Sequence, residues 1–385
     1  MKLTGSEKLK IRIMAEGAKL TPAAWGRLTR NETPHTIGPG TSNGVELLLD
    51  NKIYVNCPVF FDGDLNLSKN IYNQFLLGSL RENLTQKWLK NTKLILDFRD
   101  GLFKIYNGTS FKTVKILNKP EYVKKMLPSG KMVSKVVFTQ TDRAGLSPVG
   151  EGCFFQLVKK GCKFCGEKGS YYLMPFEDTL KATKLALNDK KLPARHIQVS
   201  GGTPSDKHLP HYIQTIERLC KNFPETEVDV MMSPQQIDVL EHLKKQGVNG
   251  VAINIEVYNE KIAAQIIPSK YKIGRKKYFE TLTEAVKIFG IGKVRSLLIV
   301  GLEPMKDTLR GVSALARIGV IPILSPFRPI SGTALENQPP PTYKFLLDCY
   351  LKSNLLVKNS CVSLGPKCFA CQNNSLVFPR DIKNN

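Results

Sequence analysis

Glu227-Val228-Asp229-Val230-Met231-Met232, then a helical stretch from Gln235 to Gln246 stopped by Gly247, then Gly250-Val251-Ala252-Ile253-Asn254-Ile255-Glu256-Val257. The run reads strand, helix, glycine, strand. A helix that stops on glycine and feeds straight into an apolar strand is the mark of a βα repeat. The pattern recurs on both sides. Upstream, His196-Ile197-Gln198-Val199-Ser200 reads as a strand, and Asp178 to Asp189 as the helix before it. Leu209, Tyr212, Ile213, Ile216, Leu219 and Phe223 fall on one face at helical spacing. Downstream, Tyr278 to Phe289 is a helix stopped by Gly290, and Val294 to Val300 is a strand. Thr308 to Ile318 is a helix stopped by Gly319, and Ile321-Pro322-Ile323-Leu324 is the last strand. Two runs, Lys135 to Thr139 and Phe154 to Val158, compete as the first strand. Joined by right-handed crossovers, these units predict an α/β fold, a partial (β/α)6 TIM-type barrel.

The flanks differ in texture. Val45 to Leu49 and Lys52 to Val55 flank Asp50-Asn51, and Lys93 to Phe98 and Leu102 to Tyr106 flank Arg99-Asp100-Gly101. Both read as hairpins, with Phe111 to Ile116 as a further strand. The expected organisation is a β-rich N-terminal accessory domain (1–130), the barrel (131–345) and a Cys-containing C-terminal tail (346–385).

Composition bounds the functional classes. No apolar run reaches the roughly 18 residues of a membrane span. Met1 to Glu7 shows no apolar stretch behind its charge, so a cytoplasmic protein with no membrane partner is expected. In that reducing setting the nine cysteines are better explained by metal than by disulfides. Against 33 acidic residues stand 56 basic ones, a formal charge of +23. The excess is mostly lysine spread along the chain. It fits a solvated surface and also leaves an RNA partner open.

The densest chemistry lies at Gly152-Cys153-Phe154-Phe155-Gln156-Leu157-Val158-Lys159-Lys160-Gly161-Cys162-Lys163-Phe164-Cys165-Gly166. Three thiols can hold three irons of a four-iron, four-sulfur cluster and leave one iron open to a small molecule. Zinc is the rival reading, but zinc normally closes its shell with four ligands. A thioredoxin-like pair at Cys162 and Cys165 would want a helix start in a small domain, which the repeats disfavour.

In a barrel of this kind the working residues lie at the C-terminal ends of strands. That rule selects Gly201-Gly202-Thr203, where glycines let backbone approach a ligand. It selects Asn254 and Glu256, polar residues expected on one side of an apolar strand, where burial without a partner would be costly. It also selects Gly301 after Ile299 and Val300, and Arg328, which can clamp an anion at the barrel mouth.

Taken together, the cysteine loop, Gly201-Gly202, Asn254 and Glu256, and the Gly301 tip resemble the radical S-adenosylmethionine (SAM) superfamily. The stretches Asn254 to Tyr258, Ser296 to Pro304 and Pro326 to Pro329 resemble its biotin-synthase-like branch. The resemblance covers roughly residues 134 to 335. It implies an enzyme in which Cys153, Cys162 and Cys165 ligate a [4Fe-4S] cluster and SAM chelates the open iron. Phe164 would pack by the adenine, and Gly201, Gly202 and Thr203 would meet the methionine amino group. Asn254 and Glu256 would touch ribose or substrate, and Ile299 to Gly301 would line the adenine site. One electron would break the sulfonium to give methionine and a 5′-deoxyadenosyl radical. A flavodoxin or ferredoxin would supply the electron. The substrate would be a small molecule or a carrier-bound group. Sulfur insertion, carbon-skeleton cleavage or rearrangement, and group transfer all stay open.

Two features depart from the usual pattern. The first gap between cysteines is eight residues instead of three, as in some branches that act on tRNA. Thr203 stands where an acidic residue is usual. In the tail, Cys361, Cys368 and Cys371 resemble the second iron–sulfur cluster of some members; zinc and free thiols are the other readings. A non-catalytic zinc- or iron-binding protein associated with RNA is the reading from outside enzymology.

Overall fold

The computed structural model describes residues 2–29, 44–61, 87–89, 91–150, 152–167 and 172–383. Among these, two seven-stranded sheets are present. The first holds β1 (Ala18–Leu20), β2 (Val45–Leu49), β3 (Ile53–Cys57), β4 (Val59–Phe60), β5 (Leu94–Arg99), β6 (Leu102–Asn107) and β7 (Ser110–Ile116). Their order is β3-β2-β7-β6-β5-β1-β4. The two expected hairpins are there as antiparallel pairs, with β7 antiparallel to β6. Asp50 and Asn51 take left-handed φ values of 51° and 57° in the first turn, a conformation their short polar side chains tolerate. Two helices join this sheet, Gly5–Glu16 and Pro22–Thr29. At the start of the first, Thr4 and Glu7 form a reciprocal capping box.

The second sheet holds β8 (Val137–Gln140), β9 (Arg143–Leu146), β10 (His196–Val199), β11 (Glu227–Met231), β12 (Gly250–Ala252), β13 (Val294–Val300) and β14 (Ile321–Pro326), in the order β14-β13-β12-β11-β10-β9-β8. Strands β9 to β14 are parallel throughout. This is the partial six-unit barrel expected from the repeats. Its first parallel strand, however, is neither sequence candidate. Val137–Gln140 folds back antiparallel on β9, and Gly145 leaves room for the Phe138 ring lying across it. Phe154–Leu157 is a short helix, not a strand, with Cys153 at its N-cap position. A four-residue apolar run does not by itself separate the two.

The helices close the outside of the sheet. Leu209–Asn222 buries Tyr212, Thr215, Ile216, Leu219 and Cys220, close to the face read from its spacing. Each fully buried Ile or Leu there contributes on the order of 1.5–3 kcal/mol. The last long helix, Tyr343–Val357, packs between the helices Gly5–Glu16 and Met305–Arg317.

The tail then runs along the outer side of β14. Gly365 N–H donates to Pro322 O at 3.0 Å, and Leu376 N–H to Leu324 O at 2.8 Å. Pro322 and Pro326 suit a strand on the rim of a sheet, where a missing N–H costs no ladder bond. Two buried groups of the first sheet's layer hold the same tail. Lys10 Nζ donates to Gln372 O at 2.6 Å and Val377 O at 2.8 Å, and Asn373 donates to Glu46 Oε1 at 2.5 Å. No helix among the described residues is long and apolar enough to cross a membrane.

Candidate active site

The site gathers where the parallel strands end. The segment carrying Cys153, Cys162 and Cys165 follows β9 and is pinned from two sides. Phe154 N–H donates to Thr203 O at 2.9 Å, just past β10, and Lys163 N–H donates to Ile266 O at 2.9 Å, past β12. Gly202 explains the first contact. A Cβ there would lie 2.1 Å from Gly152 O and 2.4 Å from Cys153 Cα, so only glycine lets the two backbones meet. Gly201 has φ of +100°, and a Cβ on it would meet Ser147 Oγ at 2.3 Å. Gly202 thus seats the cysteine loop at the end of β10, while Gly201 packs on Ser147 just past β9. Thr203 Oγ1 turns instead to Ser233 Oγ, 3.1 Å away.

Cys162 and Cys165 lie close enough to Cys153 for its charge to bear on both. Burial first, then Glu256, pushes the Cys162 thiol well above its ordinary range. Burial likewise pushes Cys165 up to about 12. Such thiols ionise only beside a strong positive charge, which a bound iron cluster supplies. Among the described residues no three His, Cys, Asp or Glu groups are arranged to hold a single metal ion. A cubane asks for another arrangement, with each thiolate on its own iron. Three cysteines on one loop are, by their chemistry, the donor set such a cluster takes.

Asn254 and Glu256 are not on one face of a continuous strand, because β12 ends at Ala252. Glu256 takes φ of +60° and rejoins β13 by a single parallel bridge to Leu298. That kink separates the two side chains. Asn254 braces β13, its Oδ1 accepting from Leu297 N–H at 3.1 Å and its Nδ2 lying 3.4 Å from Met231 Sδ. Glu256 faces the cysteines, with Oε2 3.8 Å from Cys162 Sγ and Oε1 2.7 Å from Lys270 Nζ. Burial pulls Lys270 down, but Glu256 and then Tyr278 and Cys162 outweigh it and hold the ammonium above its ordinary value. The Tyr278 hydroxyl beside them is buried and lacks a hydrogen-bond partner among the described residues. Sequence reasoning missed both: Lys270 is one basic residue among 56, and Tyr278 looked like the first turn of a helix.

Next to this polar group lies an apolar cluster of Val257, Ile299, Leu302 and Phe327, with Cys162 and Phe164 packed against it. Phe164 and Ile299, expected to flank a planar base, are thus brought together. Gly301, with φ of +104°, tucks under Pro341, whose ring atoms would be 3.0 Å from a Cβ. Arg328 lies elsewhere. Its Nη1 donates to Asn56 Oδ1 at 2.7 Å and its Nη2 to Asn56 O at 2.9 Å, all buried. The expected anion clamp is instead a tie from β14's end to β3. In the tail, Cys368 and Cys371 come together, and Cys361 is exposed on the loop after Tyr343–Val357.

Residues 147–309 match the Radical SAM superfamily. The matched segment carries the cysteine loop and the strand ends described above. A bacteriochlorophyllide c C-7(1)-hydroxylase of Chlorobaculum limnaeum is 31% identical over 128 residues, 32% of each chain. Biotin synthase of Staphylococcus aureus is 25% identical over 179 residues, 45% of this chain and 48% of that protein. The chain therefore spans about a third to a half of the curated relatives it matches. Among solved structures, the [FeFe]-hydrogenase maturase HydG is 16% identical, covers 56% of this chain and 49% of its own, and has a TM-score of 0.45. The matched segment also takes in the β10 tip, Lys270 and β13.

Proposed function

We propose that this chain is a radical SAM enzyme whose cluster is held by Cys153, Cys162 and Cys165. The supporting observation is the seating of the half-buried cysteine loop on the Gly202 backbone, beside an ion pair and an apolar cleft. When bound, the cluster supplies the electron that opens the SAM sulfonium and so yields a 5′-deoxyadenosyl radical. The protein's part is to bind, orient and keep water out. Lys270 and Glu256 offer one positive and one negative group, complementary to the carboxylate and ammonium of a methionine moiety. Phe164, Val257 and Ile299 offer an apolar wall to a purine. The Tyr278 hydroxyl is a donor still to be paired.

The substrate in this reading is a small molecule or a carrier-bound group. A second cluster in the tail is not part of it. Two guanidiniums bear on Cys368 and Cys371, and Cys361 is exposed. The formal charge of +23 supports RNA as a second substrate class.

Anaerobic protein reconstituted with iron and sulfide tests the proposal. About four irons per chain and dithionite-dependent release of methionine from SAM are expected, and both should vanish in Cys162→Ala and Cys165→Ala. Iron and cleavage that survive loss of each thiol in turn would refute it. Binding to tRNA that weakens steeply with salt would favour the RNA class.

A further inference from the structure

At the other end of the barrel, two tail cysteines meet the first residues of two strands. Cys368 Sγ lies 3.3 Å from His196 Nε2, and Arg143 Nη1 donates to Cys371 Sγ at 3.2 Å. Cys371 N–H donates to Cys368 Sγ at 3.4 Å, and the two thiols hydrogen-bond each other. Arg143 opens β9 and His196 opens β10, whereas the cluster loop and the Gly201 and Gly301 tips follow the opposite strand ends. Arg295, paired with Asp229 at 2.8 Å, adds a second guanidinium whose charge reaches both sulfurs.

The surroundings discriminate between chemistries. Two guanidiniums beside two sulfurs disfavour a divalent cation and favour a thiolate. The structural thiols Cys57 and Cys349 are both pushed up by burial, to about 12. Cys368 instead is held down, by the hydrogen bond with Cys371 against burial and then by Arg143. We propose that Cys368 and Cys371 form a second reactive centre, a thiol–disulfide exchange pair that takes a small-molecule or protein disulfide as oxidant. His196 takes the Cys368 proton. The Cys368 thiolate attacks one sulfur of the incoming disulfide, breaks its S–S bond and releases the other sulfur as a thiol. Cys371 then loses its proton and attacks the Cys368 sulfur, releasing the second thiol and closing a Cys368–Cys371 disulfide. Two electrons and two protons pass from the pair to the incoming disulfide.

The test uses full-length anaerobic protein, equilibrated in glutathione buffers of rising oxidised fraction, quenched, alkylated and mapped by peptide mass spectrometry. A Cys368–Cys371 disulfide reversed by dithiothreitol is expected. Cys371→Ser should stop at a glutathione adduct on Cys368, and Cys368→Ser should leave Cys371 labelled at least about tenfold less. His196→Gln should shift the pH profile of Cys368 alkylation to higher pH, a readout that a packing role would not move. Equal labelling of both cysteines would overturn the proposal. So would a stoichiometric zinc or iron ion that blocks alkylation until it is chelated, since metal is measured separately at this peptide. If a serine variant does not fold, alkylation rates in the wild-type chain decide, with Cys368 expected to be the faster.

Discussion

Lys270 Nζ and Glu256 Oε1 are 2.7 Å apart with side chains only 15% and 13% exposed, and the other Glu256 oxygen faces Cys162 Sγ. The pair is desolvated, so removing one partner leaves a buried charge. Lys270→Met should cost about 3–5 kcal/mol in urea unfolding, with much of the loss recovered in Lys270→Met/Glu256→Gln. A double-variant loss equal to the sum of the Lys270→Met and Glu256→Gln losses would mean the two charges are not coupled.

Gly202→Ala drives a methyl into Gly152 O and Cys153 Cα. The loop has to move, at about 1–3 kcal/mol of stability. The fold should survive by circular dichroism while iron content falls. Full iron loading in this variant would show that the loop is seated by something else.

Tyr278→Phe removes a buried hydroxyl that lacks a partner among the described residues. The protein without SAM should be unchanged or more stable by about 1–3 kcal/mol. SAM affinity, read by calorimetry, should weaken if the hydroxyl is completed by the cofactor. Unchanged affinity would remove Tyr278 from the site.

Arg328→Met deletes two buried hydrogen bonds to Asn56 and should lower stability by about 1.5–3 kcal/mol. SAM affinity should not change. A selective loss of affinity would restore Arg328 to the barrel mouth as an anion clamp.

The tail also makes stability depend on pH. Burial holds the Glu46 proton up to about pH 8 in the folded protein, against an ordinary value of 4.5. Folding therefore takes up a proton between those values, and stability falls as pH rises through that window, then levels off. Burial also lowers Lys10 to about 7 from 10.5, so folding releases a proton between those values and stability rises with pH. Thermal melts across pH should show the fall disappear in Glu46→Gln and the rise disappear in Lys10→Met.

Much of the barrel was legible because each helix stop, and each strand from His196 to Leu324 except the one that breaks off at Ala252, sits within a few residues of its sequence reading. The cysteine loop was legible from its own spacing, and Phe164 and Ile299, linked in the sequence only by the resemblance, fall at one apolar cluster. What the local pattern hides is pairing across distance. Nothing around Lys270 marks it as the partner of Glu256, and nothing around Arg328 points to Asn56. The β9 strand escaped notice because Arg143–Leu146 is four residues long and contains Gly145. The kink at Glu256 was hidden because the run from Gly250 to Val257 is apolar enough to read as one strand.

The hydrogen bonds from Gly365 and Leu376 onto β14 carry a consequence for any shortened chain. Cut before residue 365, the molecule would keep its six parallel strands but present bare carbonyls along the rim of the last one. Such a rim is a template for a neighbour's backbone. Truncated protein is thus expected to self-associate through β14 before it unfolds, and the stretch from Gly365 to Leu376 acts as a built-in guard against polymerisation.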